Sequence, residues 1–243
     1  MIARNDKENN VVNEDKYKDK PLRFYDKDDH YELYFIDAFQ YPDKDYTVIS
    51  DIIIDLKNAD KDKELHIWIN SHGGYVISLT SILQQVLEFK HVVTITTGSA
   101  MSCGFMLWCS GHEKFVSPMS ELLYHGISAY TGGKGKEIAL YGKFIEKELE
   151  MLVKILGVDK ILTKDELTLG RTSEVWFLGC ELIERGVALD YSQYKSRVIP
   201  TKTSVIKIGD SIYVNEDDGY IKYEKAKEKE ISYLDILEKA KEK

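Results

Sequence analysis

A serine stands where a β-branched run, Val92-Val93-Thr94-Ile95-Thr96-Thr97, gives way through Gly98-Ser99-Ala100-Met101 to an apolar helical stretch, Ser102 to Cys109. Helix N-termini carry unpaired backbone N–H groups and a partial positive charge. A negative oxygen formed by attack of Ser102 on a carbonyl would therefore be stabilised by the N–H of Cys103. Serine is also favoured there as a plain N-cap, and the segment alone leaves both readings open. Ile69-Asn70-Ser71-His72-Gly73-Gly74 ends another apolar strand on two glycines. Their amides would form a concave N–H pair that supplies the second half of an oxyanion hole, or simply a turn needing positive φ.

His125 leaves the apolar strand Leu122-Leu123-Tyr124 and enters a glycine-rich loop. A serine hydroxyl near neutral pH needs a base within hydrogen-bond reach. His125 is the best-placed imidazole, and a satisfied structural histidine is the plainer alternative. His66 lies inside a strand, His91 and His112 lie in turns, and His72 sits beside the glycines, where it would contact substrate rather than act as the base.

The elements that hold these residues are legible as alternating strands and helices. Glu32 to Ile36 reads as a strand. Thr47 to Asn58 places Val48, Ile52, Ile53 and Leu56 at helical spacing. Leu65 to Asn70 is a buried strand, followed by a helix with Ile77, Leu79, Ile82, Leu83, Val86 and Leu87 on one side. Phe115-Val116 and Leu122 to His125 are short strands. A long amphipathic helix runs from about Lys136 to Leu156, and shorter helical stretches lie near Thr163 to Thr168 and Gly179 to Arg185. Strands alternating with helices predict βαβ units and a parallel sheet, hence an α/β fold.

The two ends differ from this middle. Residues 1–30 are rich in Lys, Asp and Asn, and the reading is a mobile charged segment. Residues 31–191 form the catalytic-type domain, and 192–243 an extension. In that extension Val205 to Val214 is a β-hairpin around Gly209-Asp210, and Lys222 to Lys243 a charged helical tail. The net charge of −8 argues against nucleic acid or anionic membrane as partner. Cys103, Cys109 and Cys180 are an odd, sparse set without a CxxC pair, which predicts no disulfide framework, no zinc site and a reduced cytoplasmic setting. The charged N-terminus lacks the apolar core of a signal peptide, and no apolar run approaches the roughly 18 residues of a membrane span.

Taken in order and spacing, these motifs resemble the ClpP family of caseinolytic serine peptidases over roughly Tyr31 to Asp190. Ile69-Asn70-Ser71-His72-Gly73-Gly74 is similar to the family's strand followed by Asn-Ser-Pro-Gly-Gly, with His72 in place of the proline. Gly98-Ser99-Ala100-Met101-Ser102-Cys103-Gly104 is similar to its nucleophile segment Gly-Gln-Ala-Ala-Ser-Met-Gly, and Leu123-Tyr124-His125 stands where its Met-Ile-His stands. The resemblance implies a ClpP/crotonase-like spiral of βαβ units with a projecting handle helix beginning at Lys136. It implies Ser102 as nucleophile and His125 as base. Gly73, Gly74 and Cys103 would bind substrate and oxyanion. It also implies protein or peptide substrates, no metal or organic cofactor, and a heptameric or double-heptameric homo-oligomer. An ATPase unfoldase is a further implied partner, and the divergent ends would suit a virus-encoded relative.

In the family an aspartate of an Arg-Asp-Arg-Phe segment orients the histidine. Gap-free matching on Trp176, Glu181 and Gly186 puts Glu174 at that position, with Asp165 as the fallback. Two other readings stay open. One is a non-catalytic structural ring subunit. The other is a crotonase-type acyl-CoA enzyme, which shares the fold and the two-amide oxyanion hole but needs neither Ser102 nor His125.

Overall fold

The computed structural model describes residues 22–36, 38–39, 46–198, 205–208, 211–216 and 219–223. Two compact units divide at Tyr194/Lys195. In chain order the first unit holds β1 (Leu22–Asp26), β2 (His30–Ile36), α1 (Tyr46–Asn58), β3 (Glu64–Ser71), α2 (Val76–Val86), β4 (Val92–Met101) and α3 (Cys103–Cys109). These are followed by β5 (Glu113–Val116), β6 (Glu121–Tyr124), α4 (Gly135–Ile155), α5 (Lys164–Gly170), β7 (Val175–Leu178), α6 (Gly179–Glu184), β8 (Leu189–Asp190) and the start of α7 (Tyr191–Val198).

Eight strands make one sheet in the order β1-β2-β3-β4-β5-β8, with β6 branching from β4 and β7 pairing β6. The β2–β3, β3–β4, β4–β5, β4–β6 and β5–β8 pairs are parallel. Only β1–β2 and β6–β7 are antiparallel. The α/β reading with a mostly parallel sheet therefore holds.

Helical periodicity explains the layer on one face. Leu79, Ile82, Leu83 and Val86 recur at three and four residues along α2, and all are buried. Fully burying each such side chain contributes about 1.5–3 kcal/mol. They join Leu33, Phe35, Ile52, Leu56, Ile67 and the whole of α3 in one core. A second, smaller core covers the opposite face, where Tyr194 of α7 packs on Val93, Ile95 and Phe115.

Several elements depart from the sequence reading. The segment expected to be mobile reaches residue 30, yet Leu22–Asp26 forms β1, with Leu22 and Phe24 buried, Arg23 and Tyr25 half-buried, and Asp26 exposed. Residues 1–21 of that expected segment lie outside the described residues. The helical tail expected from Lys222 is a strand at Lys222 and Tyr223, and its remainder, 224–243, also lies outside the described residues. Gly98 to Met101, read as the passage from strand to helix, continues β4. Val175–Leu178 forms strand β7, which periodicity did not signal.

The way β4 continues is what aims Ser102. Its first part pairs β5 through Val93–Thr96, and its last part pairs β6 through Ser99–Met101. Between them its register against β3 slips, with Ile69 opposite Thr96 but Ser71 opposite Ala100. Such a bulge bends a strand and re-aims its end. Asn70 clamps it: Oδ1 accepts both the backbone N–H and the hydroxyl of Ser99, each at 3.0 Å. A Cβ on Gly98 would lie 2.6 Å from that same oxygen, so the clamp requires glycine there.

The second unit contains strands β9 (Val205–Ile208), β10 (Ser211–Glu216) and β11 (Gly219–Tyr223) in an antiparallel meander. The hairpin expected over Val205 to Val214 falls on β9 and β10, and β11 adds a strand to it.

Candidate active site

Ser102 is the one non-glycine residue with positive φ among the described residues, at φ 55° and ψ −117°. Such a conformation costs on the order of 1–3 kcal/mol and persists only where its surroundings impose it. Here the surroundings are specific. The Ser102 N–H donates to the Leu123 carbonyl at 2.8 Å, and its own carbonyl accepts the Met106 N–H at 3.0 Å. The residue occupies the N-cap position of α3, but its side chain makes no capping hydrogen bond. The plain N-cap reading therefore lacks the contact that defines it.

Gly73 and Gly74 run past this turn. Phe39, which belongs to no expected element, bridges to them: its N–H donates to the Gly73 carbonyl at 2.7 Å, and its carbonyl accepts the Tyr75 N–H at 2.8 Å. In a trans peptide C=O and N–H point opposite ways. With the Gly73 carbonyl facing Phe39, the Gly74 N–H faces the other side, and among the described residues it has no acceptor. Gly74 has φ 141°, and a Cβ there would lie 2.3 Å from the Phe39 carbonyl oxygen. Cys103, as the first residue of α3, has no intrahelical acceptor for its amide either.

Ser102, Cys103, Gly74 and His125 line one cavity of about 80 Å³, whose wall is the apolar set Val76, Leu79, Met106 and Leu152. Leu152 comes from the base of α4. Only Leu149 and Leu152 of that helix are buried, and its first half protrudes with Leu140 at 67% and Phe144 at 57% exposure.

The His125 Nδ1 lies 2.5 Å from the Gly126 carbonyl oxygen. A carbonyl only accepts, so Nδ1 carries the proton and a neutral ring keeps its Nε2 lone pair. That is the tautomer a general base needs. Ser102 and His125 share the cavity without a hydrogen bond between them.

Glu174 does not line the cavity. It is exposed, and its Oε2 accepts the Trp176 indole N–H at 3.0 Å. Asp165 sits in the first turn of α5, beside a capping box of Thr163 and Glu166, and is also absent from the cavity lining. Gly73 reaches the site by contact with Ser102 rather than by lining the cavity.

The other histidines are occupied elsewhere. His66 is buried between the Tyr194 hydroxyl at 2.9 Å and Glu64 at 3.0 Å, and His91 pairs with Glu113 at 2.9 Å. His112 accepts the Val92 N–H at 3.0 Å. His72 is exposed, 3.3 Å from the Met101 sulfur. The Cys103 thiol adjoins Ser102, but burial pushes its pKa up to about 12. It stays protonated and donates to the Gly74 carbonyl at 3.2 Å, so it is no competing nucleophile. Among the described residues no three or more His, Cys, Asp or Glu are grouped to hold a metal ion, and no helix is long and apolar enough to cross a membrane.

Residues 38–188 match the family model for Clp protease. The chain belongs to the Clp protease family. Among its relatives, ATP-dependent Clp protease proteolytic subunit 3 of Streptomyces avermitilis is 27% identical over 135 residues, which cover 54% of this chain and 62% of that protein. Subunit 3 of Rhodococcus jostii is 30% identical over 135 residues, covering 54% and 67%. Subunit 1 of Streptomyces coelicolor is 27% identical over 135 residues, covering 54% and 62%. The chain thus spans somewhat under two thirds of the length of two of these relatives. The family match takes in the serine turn, the glycine strand, His125 and Glu174 together.

Sequence reasoning missed Phe39, Asn70 as a clamp, and Trp176. Asn70 stood in a recognised motif, but its partner Ser99 is distant in sequence, and only the bulge reveals the pairing.

Proposed function

We propose that this chain is a serine-type peptidase that hydrolyses peptide bonds of proteins or peptides within a cytoplasmic ring of identical subunits. The observation that carries this reading is that the strained Ser102 lines the same cavity as His125, together with Gly74 and Cys103, whose amides supply an oxyanion hole. Ser102 Oγ attacks the scissile carbonyl carbon while His125 Nε2 takes its proton. The Gly74 and Cys103 N–H groups hold the resulting oxyanion. His125 then returns the proton to the leaving amine, and water hydrolyses the acyl-serine by the same route. Glu174 orients the imidazole and stabilises its charged form. The open edge of Gly73-Gly74 pairs with substrate backbone by strand addition, which gives affinity with little sequence selectivity. No cofactor enters these steps.

Ring assembly uses the protruding half of α4, whose apolar residues have no cover within the subunit. An ATPase unfoldase is a partner in this reading only for folded substrates. Fluorogenic peptide cleavage and fluorophosphonate labelling, compared between wild type and Ser102→Ala, test the assignment: labelling that persists in the variant rules Ser102 out. One observation favours a non-catalytic subunit, namely that His125 is bonded to Gly126 and Glu174 to Trp176 rather than to each other. Absence of labelling in the assembled wild-type protein is the result that reading requires. Membership of the Clp protease family favours the peptidase over the crotonase-type reading.

A further inference from the structure

We propose that Trp176 is a positioning residue for Glu174, its indole N–H fixing one carboxylate oxygen so that the other serves His125. The inference rests on the peptidase reading above. Along β7 the buried residues are Val175 and Phe177, whereas Trp176 and Leu178 are exposed. Side chains alternate with period two along a strand, so Glu174 and Trp176 belong to one face. β7 runs antiparallel to β6, with Leu123 opposite Trp176 and Tyr124 opposite Val175. One further step of that ladder sets His125 against Glu174, and directly opposed residues share a face. The Gly126 N–H donates to the Gly170 carbonyl at 2.6 Å, which keeps the chain after His125 tied to the segment that leads into β7.

The chemistry explains why an indole is useful here. Glutamate has one more rotatable bond than aspartate, and that freedom must be frozen before the carboxylate can orient an imidazole. The Trp176 N–H binds Oε2 at 3.0 Å and leaves Oε1 unclaimed among the described residues. Trp176 itself is 52% exposed, so most of its ring serves no core. In the engaged state the His125 Nδ1–H leaves the Gly126 carbonyl and donates to Oε1. No proton changes owner in that step.

The test uses the full chain with a short fluorogenic peptide amide, and fluorophosphonate labelling rate as a second measure. Trp176→Phe keeps the ring and removes the N–H. It is expected to lower kcat about tenfold to a hundredfold with KM unchanged, the size of one lost charge-assisted hydrogen bond. Trp176→His is expected to restore at least half of the lost rate, because histidine Nε2 stands the same number of bonds from Cβ as the indole nitrogen. In a Glu174→Gln background, Trp176→Phe is expected to change kcat less than about twofold.

The proposal is overturned if Trp176→Phe keeps or exceeds wild-type kcat while Glu174→Gln is impaired, or if its loss is the same in both backgrounds. It is overturned too if Trp176→His recovers nothing although its melting temperature matches wild type. A fully active Glu174→Gln instead sinks the assignment of the third triad member, and a Ser102→Ala variant that still labels sinks the nucleophile. The two kinds of failure are therefore distinct.

Discussion

Gly73 presses its α-carbon against the back of Ser102: a Cβ at position 73 would lie 2.6 Å from the Ser102 Cβ and 2.8 Å from the Met101 carbonyl oxygen. Residue 73 also holds φ 96°, which strains any L side chain. Gly73→Ala must therefore displace the serine turn and change its geometry relative to His125. A displacement near 1 Å can cost on the order of a hundredfold in rate. The expected outcome is a loss of that order in kcat, together with a lowered melting temperature. Gly132→Ala, where a Cβ meets nothing within 4 Å, serves as the control and should keep activity.

The Asn70 clamp predicts a different pattern. Asn70→Ala removes the acceptor for both Ser99 donors and frees the bulge that aims the end of β4. We expect kcat to fall about tenfold with little change in KM, since substrate contacts are untouched. Asn70→Asp retains an acceptor oxygen at the same place and should stay within about twofold of wild type. Steady-state kinetics of the pair distinguishes a geometric role from a requirement for the amide itself.

Much of the fold was legible because packing dominates where periodicity is clean. The stripe Leu79, Ile82, Leu83, Val86 names the buried face of α2 without any structure. β1 was hidden because Leu22 and Phe24 are two apolar residues in a charged neighbourhood, and their burial comes from pairing with β2. β4 was cut short because Gly98-Ser99-Ala100 carries no strand preference; the sheet continues there only because a distant asparagine satisfies the bulge. α7 was unread because Tyr191 and Tyr194 sit among polar residues, and their cover of Trp68 and Phe115 is a long-range contact. At the candidate site, Ser102, His125 and the glycines stand out by motif and order. Phe39 and Trp176 do not, since one acts through a backbone bridge and the other through an indole N–H, and neither leaves a pattern in one chain.

If α4 joins copies of the chain, charge on its exposed face should separate them. Leu140 and Phe144 lie four residues apart on one side of the helix, both more than half exposed. Leu140→Glu together with Phe144→Glu is expected to shift the protein to smaller species by size exclusion with light scattering. Helical content by circular dichroism should be retained, because neither side chain is part of the subunit core. An unchanged particle mass would remove α4 from the interface.

Cysteine reactivity should follow burial. Cys103 and Cys109 are buried and desolvation pushes both thiols up, Cys103 to about 12, whereas Cys180 is partly accessible. The thiolate is the reacting species. Iodoacetamide near neutral pH is expected to alkylate Cys180 first by peptide mapping, and Cys103 only after denaturant is added. Rapid alkylation of native Cys103 would contradict the packing described around Ser102.

His30 predicts a pH dependence of stability that is independent of catalysis. Glu32, 3.6 Å from Nε2, and Asp29, bonded to Nδ1 at 2.7 Å, raise the imidazole pKa above its ordinary 6.5. The folded state therefore holds the proton more tightly than the unfolded chain. The contribution is fully present below the unfolded value of 6.5 and is lost as pH rises through the raised folded value. His30→Asn removes that ionisation. Denaturant unfolding at about pH 5.5 and about pH 8.5 should show a larger loss of stability for the variant at the acid pH, and a smaller one at the alkaline pH as the imidazole gives up its proton. An equal cost at the two pH values would mean that the carboxylates do not hold the imidazolium in the folded protein.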